Sequence, residues 1–413
     1  MEEKNDTVNE ELREKIYALL FPESKNFEKV LLPATVAESI YKKFAETYHI
    51  ETAESSGSNH MIRDGRYKIT YPIQVDADVV ERLDPYQKTA IHSGQIALQK
   101  LKLDEVISYD ADGAIKIADQ TRLDQMRHYL NGLVTRFDQD GGGFLPEIGI
   151  MQGVKRDEIF IVSPLALGSL KDVMEDLKQR GEFSDEVRVE IMRQVIASVK
   201  ELQLKWGYIH HDIDPSNFLV LKDANQPFGF RVILSDPDFV TSRDPNISVP
   251  KEFRVAAAPL EFFKDQTVNN YISSKYDLHG IGNILLKIFD DDRELIARPF
   301  DPNDPDDEYY AIRENLNAEY FHWERFHPFV QVMIKGLQHP DSEVRFSISQ
   351  ADTLAENIEE YYDNQKLMDR IIDRESEDYQ RLMERNREIK QEFIQLDTHL
   401  MQKNDAFQLK LNH

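Results

Sequence analysis

The sequence predicts an α+β protein, with a small β-rich N-terminal lobe, a large helical C-terminal lobe and helical extensions at both ends. Three patterns carry that expectation. Between residues 67 and 163, short β-like runs (YKITYPIQV, EVISYD, AIKIA, IFIVS) alternate with helical runs such as TRLDQMRHYLNGLVTRF. From residue 169 onward the apolar spacing becomes that of helices. The stretch 359–413 is strongly charged and reads as helix throughout.

Taken in order, residues 1–60 read as a helical N-terminal extension. Its clearest helix is TVAESIYKKFAETY, and a polar, glycine-bearing stretch follows it at 51–66. Residues 61–162 then form the small lobe and 163–358 the large one. Within the large lobe, SDEVRVEIMRQVIASVKELQ places Val187, Ile191, Val195, Val199 and Leu202 on one face behind a Ser184 N-cap, the pattern of a buried helix. The C-terminal extension, 359–413, carries Leu382, Ile389, Phe393, Leu396 and Leu400 at spacings of seven, four, three and four, which suits an a/d seam. Such a seam either packs back on its own domain or pairs with a coiled-coil partner or a second copy of the chain.

Composition narrows the function. A 413-residue chain with 41% hydrophobic and 10% aromatic residues has the material for a substantial core. Its formal charge of −25 repels phosphate backbones and anionic headgroups at long range, so neither nucleic acid nor an anionic membrane is expected as a partner. With no cysteine, any nucleophile or metal ligand is oxygen or imidazole. No apolar run approaches the ~18 residues of a membrane span, and the acidic start MEEKNDTVNEELREK is unlike a signal peptide. A soluble, cytoplasmic protein is expected, or one secreted into a host cell by a non-classical route.

Chemistry concentrates in two segments. GYIHHDIDPSNFLVL, residues 207–221, carries Asp212 and, five positions later, Asn217 in a polar turn before an apolar strand. That spacing lets a carboxylate face a substrate hydroxyl while an amide oxygen turns toward a metal. In RVILSDPDFV, residues 231–240, an apolar strand ends at Asp236, a hard oxygen ligand of the kind Mg²⁺ prefers.

These segments resemble the catalytic loop H-R-D-L-x-x-x-N and the metal loop D-F-G of the eukaryotic-like protein kinases, here HHDIDPSN and DPD. The resemblance implies a two-lobed kinase-like fold that uses ATP and Mg²⁺. Asp212 would orient the acceptor hydroxyl and take its proton, Asn217 and Asp236 would bind Mg²⁺, and Asp238 would be an additional metal ligand. It also implies a hinge in IFIVSPLALGSLKDVM, with Val162 as gatekeeper and the backbone of Ser163 to Leu165 holding adenine. Lys116 in AIKIA would reach the α- and β-phosphates as V-A-I-K does, with Lys68 as the rival. Ala258, Pro259 and Glu261 stand where the family has A-P-E, Asp277 and Gly282 match its long central helix, and Arg345 falls where an arginine pairs with the A-P-E glutamate. The resemblance runs from about residue 100 to 358.

Four departures bear on activity. No G-x-G-x-x-G precedes Lys116, and the helix after it contains no glutamate to pair with the lysine. Asp214 puts an anion where Ser/Thr kinases carry a lysine, and His211 replaces the arginine of the loop. The expected activity is ATP- and Mg²⁺-dependent phosphoryl transfer to a protein hydroxyl, as in a divergent Ser/Thr kinase similar to those that bacteria deliver into host cells. The alternatives are a pseudokinase acting as a nucleotide-binding or scaffolding module, and a kinase-like small-molecule or nucleotidyl transferase.

Overall fold

The computed structural model describes residues 14–21, 31–48, 63–64, 68–83, 95–110, 114–130 (except 125, 128 and 129), 149–153, 158–236, 241–242, 275–289 and 326–411. It is a mixed α/β protein with a small region of antiparallel sheet and many helices, divided into two compact units. The first comprises residues 1–167 with 221–231 and 236–238; the second comprises 168–220, 232–235 and 239–413.

The first unit is built on a five-stranded antiparallel sheet of order β1-β2-β3-β7-β6 (Arg63–Asp64, Lys68–Gln74, Gln95–Leu101, Ile159–Pro164 and Gly149–Gln152). Successive side chains on a strand point to opposite faces, and here both faces are apolar. Ile96, Leu98, Phe160 and Val162 share one core with Val36, Ile40 and Phe44 of helix α1 (Ala34–Tyr48) and with Val79 of the short helix α2 (Ala77–Glu81). Leu101, Ile159 and Ile161 share the other with Ile16 and Leu20 of the helical segment at 14–20 and with Leu123, Met126 and Leu130. The stretch 1–60, read from sequence as an extension, therefore contributes Ile16 and Leu20 to one core and Val36, Ile40 and Phe44 to the other. Strands β4 (Ile107–Tyr109) and β5 (Ile115–Ile117) form a separate two-stranded hairpin.

A buried carboxylate is held in the first unit by two partners. Glu158 is buried, receives Lys100 Nζ from β3 at 2.8 Å and accepts the Tyr41 hydroxyl of α1 at 2.9 Å. Gly153 packs so closely beside it that a Cβ there would lie 2.6 Å from Glu158.

In the second unit, α3 (Leu170–Gln179) starts from a Ser169–Asp172 capping box, and α4 (Asp185–Lys200) from Ser184, whose hydroxyl accepts the Val187 N–H. The α4 face expected to be buried is buried, from Val187 through Val199 and on to Leu202 in the π-turn that follows. Helix α5 (Lys275–Phe289) packs on α4 and on α6 (Pro328–Leu337), while α7 (Ile348–Arg370), opened by a Ser347–Gln350 capping box, lies along α4. A three-stranded sheet of order β11-β10-β8 (Phe230–Leu234, Phe218–Lys222, Gly168–Ser169) and a short pair, β9 (Tyr208–Ile209) with β12 (Thr241–Ser242), accompany these helices.

The C-terminal helix α8 (Glu377–Leu411) settles how its seam is used. Phe393 stacks on Phe329 of α6 at 4.3 Å between ring centroids, Asn364 bonds Asn386 at 3.0 Å, and Arg385 pairs with Glu360 at 2.8 Å. Ile389, Phe393 and Leu400 are buried against their own chain. Of the seam expected to serve a coiled-coil partner or homodimer, Ile389, Phe393 and Leu400 thus pack on their own unit, while Leu382 and Leu396 are part-buried. No described helix is long and apolar enough to cross a membrane.

Candidate active site

Helix α4 unwinds through the π-turn Glu201–Lys205, and Gly207, with φ of 70°, reverses the chain into β9. That left-handed conformation favours glycine. The chain then runs through His210–Asp214, makes a 3₁₀ turn at Pro215–Asn217 and enters β10.

This loop is fixed by α5. Asp277, fully buried, accepts the His210 N–H through Oδ2 and the His211 N–H through Oδ1, both at 2.9 Å; Oδ2 also accepts Gln203 Nε2 at 3.0 Å. One carboxylate thus satisfies two backbone donors that burial would otherwise strand. His211 sits at φ of 64°, an uncommon conformation for a side-chain-bearing residue, and its ring meets Tyr276 edge-on at 5.3 Å. Three residues along the helix, Gly280 receives Ile213, so close that a Cβ would lie 2.6 Å from Ile213 Cβ. The glycine that matters to the loop is Gly280; Gly282, matched to the family from sequence, abuts Gln338 instead.

Asp212 is buried, and its Oδ2 accepts Asn217 Nδ2 at 2.7 Å, while the same amide donates to the Asp212 backbone oxygen at 2.8 Å. The structure therefore brings the two sequence-predicted residues together and orients the Asn217 amide. With its nitrogen committed to Asp212, no hydrogen bond to Asn217 Oδ1 is present among the described residues.

His210 ties this loop to the end of β11. The Asp212 N–H donates to His210 Nδ1 at 3.3 Å, which leaves the ring proton on Nε2, placed 2.9 Å from Ser235 O. Ser235 in turn donates both its N–H (2.7 Å) and its hydroxyl (2.9 Å) to Asn217 O. Asp236 follows directly at φ of 58°, a second left-handed residue next to these anchors. Asp238 lies outside the described residues.

Charges in the loop are compensated locally. Burial pushes the His211 imidazole down to about 4, so it is neutral at pH 7. Asp214 caps the 3₁₀ turn: its Oδ1 accepts the Ser216 N–H at 2.9 Å and the Ser216 hydroxyl at 2.6 Å, and its Oδ2 pairs with Lys287 of α5 at 3.2 Å. Burial would raise the Asp214 carboxyl, but Lys287 and Ser216 outweigh it and hold its pKa below the ordinary value.

The other sequence-predicted residues fall on the following elements. Lys116 lies on β5, off the five-stranded sheet, with its side chain 65% exposed and 4.0 Å from Asp110. Lys68 begins β2 on the main sheet. Val162 is buried in the core beneath α1, and Ser163, on the opposite face of β7, accepts Gln99 Nε2 at 2.9 Å. The Leu165 N–H, assigned to adenine by resemblance, donates to Gln95 O at 3.3 Å, so this backbone group is already used by β3. Arg345 is buried and donates to His339 O and Lys275 O; Glu261, expected as its partner, and Ala258 and Pro259 lie outside the described residues.

Sequence reasoning missed Gly280, Lys287 and Ser235. The first two had a signal: Asp277, Gly280, Ile284 and Lys287 recur at three, four and three, one stripe of a helix. A scan against protein-family models finds no match to this sequence, and a search of curated proteins finds none either.

Proposed function

We propose that this chain is a divergent member of the eukaryotic-like protein kinase superfamily that transfers the γ-phosphoryl group of ATP to a protein hydroxyl in a Mg²⁺-dependent reaction. The observation that carries the reading is the loop His210–Asn217 itself. A buried carboxylate, Asp212, is oriented by Asn217 at 2.7 Å, and the loop is held from behind by a single helix carboxylate, Asp277.

In this reading Asp212 receives the acceptor hydroxyl and takes its proton as transfer proceeds. Asn217 contributes Oδ1 and Asp236 its carboxylate as the hard oxygen donors that Mg²⁺ favours, the balance coming from phosphate and water. The donor set fits, since the Asn217 nitrogen is engaged by Asp212 and its oxygen is left for another partner. When bound, Mg²⁺ supplies charge neutralisation at the phosphates. Asp238 stands as a further ligand on the same chemical grounds, and a two-lobed kinase-like arrangement of the units belongs to the same proposal.

A second reading, a nucleotide-binding or scaffolding module without transfer, is favoured by the exposed side chain of Lys116 on a hairpin off the main sheet. Purified protein with Mg²⁺ and γ-labelled ATP separates the two, read as autophosphorylation and as transfer to generic protein acceptors. The enzyme reading expects transfer by the wild type that falls on the order of 10²–10⁴-fold in Asp212→Asn, with ATP affinity kept. No transfer by the wild type, or undiminished transfer by Asp212→Asn, overturns it.

A further inference from the structure

We propose that Lys287 is a positioning residue of the active-site loop: from helix α5 it neutralises the anion that the loop carries at position 214 and so holds the turn in place. The proposal rests on the phosphoryl-transfer reading for its consequence on catalysis, and on geometry for its mechanism.

An anion at position 214 beside a site for phosphate groups is unfavourable unless it is neutralised. Lys287 supplies the neutralisation: its Nζ lies 3.2 Å from Asp214 Oδ2, with the two side chains 35% and 23% exposed. The other carboxylate oxygen is occupied by both donors of Ser216, and the Asp214 backbone oxygen accepts the Asn217 N–H at 2.9 Å. Asp214 is thus the N-cap of the turn that presents Asn217, and Asn217 orients Asp212. Direct contacts run from Lys287 through Asp214 and the turn to Asn217 and Asp212.

Helix geometry explains why position 287 does this. From Asp277 to Lys287 the helix rises about 15 Å, while the chain from His211 to Asp214 can cover at most about 10 Å. Side chains on a helix lean toward its N-terminus, so a long lysine reaches back along the axis to close the difference. Helix α5 therefore holds the loop at Asp277 against His210 and His211, at Gly280 against Ile213, and at Lys287 against Asp214. An exposed ion pair contributes little, but this one joins a part-buried cation to an anion already committed to a turn, where removing Lys287 takes away a charge that offsets that anion.

The test uses the full chain with Lys287→Met, Lys287→Arg and the pair-neutral double variant Lys287→Met/Asp214→Asn, in which the asparagine that replaces Asp214 keeps the cap oxygen. Two measurements are made. Amide hydrogen exchange over residues 214–218 is expected to accelerate at least tenfold in Lys287→Met, with α4 and α7 unchanged, and to recover in Lys287→Arg and in the double variant. Phosphoryl transfer is expected to lose at least tenfold in kcat in Lys287→Met, with KM for ATP within twofold, and to recover in Lys287→Arg. Unchanged exchange in Lys287→Met, or acceleration spread over the whole unit that Arg does not reverse, overturns the positioning role. Local acceleration in Lys287→Met, beside a wild type that transfers no phosphate, keeps that role and overturns the phosphoryl-transfer reading instead; an active wild type with unchanged kcat in Lys287→Met overturns the catalytic consequence proposed here.

Discussion

Asp277 Oδ1 accepts the backbone N–H of His211 at 2.9 Å, and this contact holds a histidine in a left-handed conformation next to the candidate general base. The strain at His211 persists because the helix over-determines it: the preceding N–H is taken by the other oxygen of the same carboxylate.

Replacing Asp277 with Ala strands those two backbone donors and Gln203 Nε2 in a dry site. At about 1–3 kcal/mol per stranded buried donor, the loss is expected to exceed about 3 kcal/mol in a urea melt. Asp277→Asn is the sharper test, since its amide can accept on one side only and turns a second N–H toward a backbone donor. Both variants are expected to be destabilised; a change below about 0.5 kcal/mol in either means that the loop has another anchor.

The neutral His211 gives the second unit an acid sensitivity of known sign. Its folded-state pKa of about 4 lies below the unfolded value, so the unfolded chain binds the extra proton between those limits. Stability from this group is complete above pH ~6.5, falls as the pH is lowered toward ~4 and is flat below, a total of about 3 kcal/mol. His327 and His339 are also pushed down by burial, so the difference between wild type and His211→Gln isolates the contribution. Parallel stability curves for the two proteins from pH ~7 to pH ~4 contradict the assignment. His211→Arg, which introduces the arginine of the kinase motif that this loop resembles, places a permanent charge in this dry pocket and is expected to be less stable than His211→Gln.

Helix α8 is part of its unit's core, so truncation and point substitution make the same prediction. Phe393→Ala removes a ring stacked on Phe329 and leaves a void, at a cost of about 3–5 kcal/mol. Cutting the chain after Ile371 is expected to expose Phe329 and abolish cooperative unfolding of the second unit. A truncated protein with an unchanged melting transition refutes it, and light scattering that shows a dimer through α8 contradicts the occupied seam.

The parts of this molecule legible in the sequence are those set by short-range chemistry. Ser184 and its apolar stripe announced α4, and Asp212 and Asn217 announced themselves by spacing because a five-residue turn fixes their contact. Pairings that depend on long loops were not legible. Nothing local distinguishes β5, which carries Lys116, from a strand of the main sheet, since a three-residue IKI run reads the same in either place. The seam of α8 was equally ambiguous, because its spacing of apolar residues serves a partner helix and a home core alike, and only the stacking of Phe393 on Phe329 decides. Lys287 escaped notice because its role depends on a loop 73 positions away.

Two lysines of the first unit make opposite predictions. Lys100 neutralises Glu158, whose side chain is only 3% exposed, so Lys100→Met leaves a buried carboxylate without this cation and is expected to cost about 3–5 kcal/mol. Adding Glu158→Met to that variant removes the stranded charge and is expected to recover most of the loss, which a thermal melt of the single and double variants measures. Lys116 shares a 4.0 Å surface pair with Asp110, and Lys116→Met is expected to shift stability by less than about 1 kcal/mol. On the proposed phosphoryl-transfer reading, its ATP affinity, read by calorimetry in Mg²⁺, is expected to match the wild type, because β5 stands apart from the sheet that carries Val162 and Ser163. A tenfold or greater loss of affinity in Lys116→Met, with the melt unchanged, restores Lys116 to the phosphates and shows that the hairpin reaches the nucleotide.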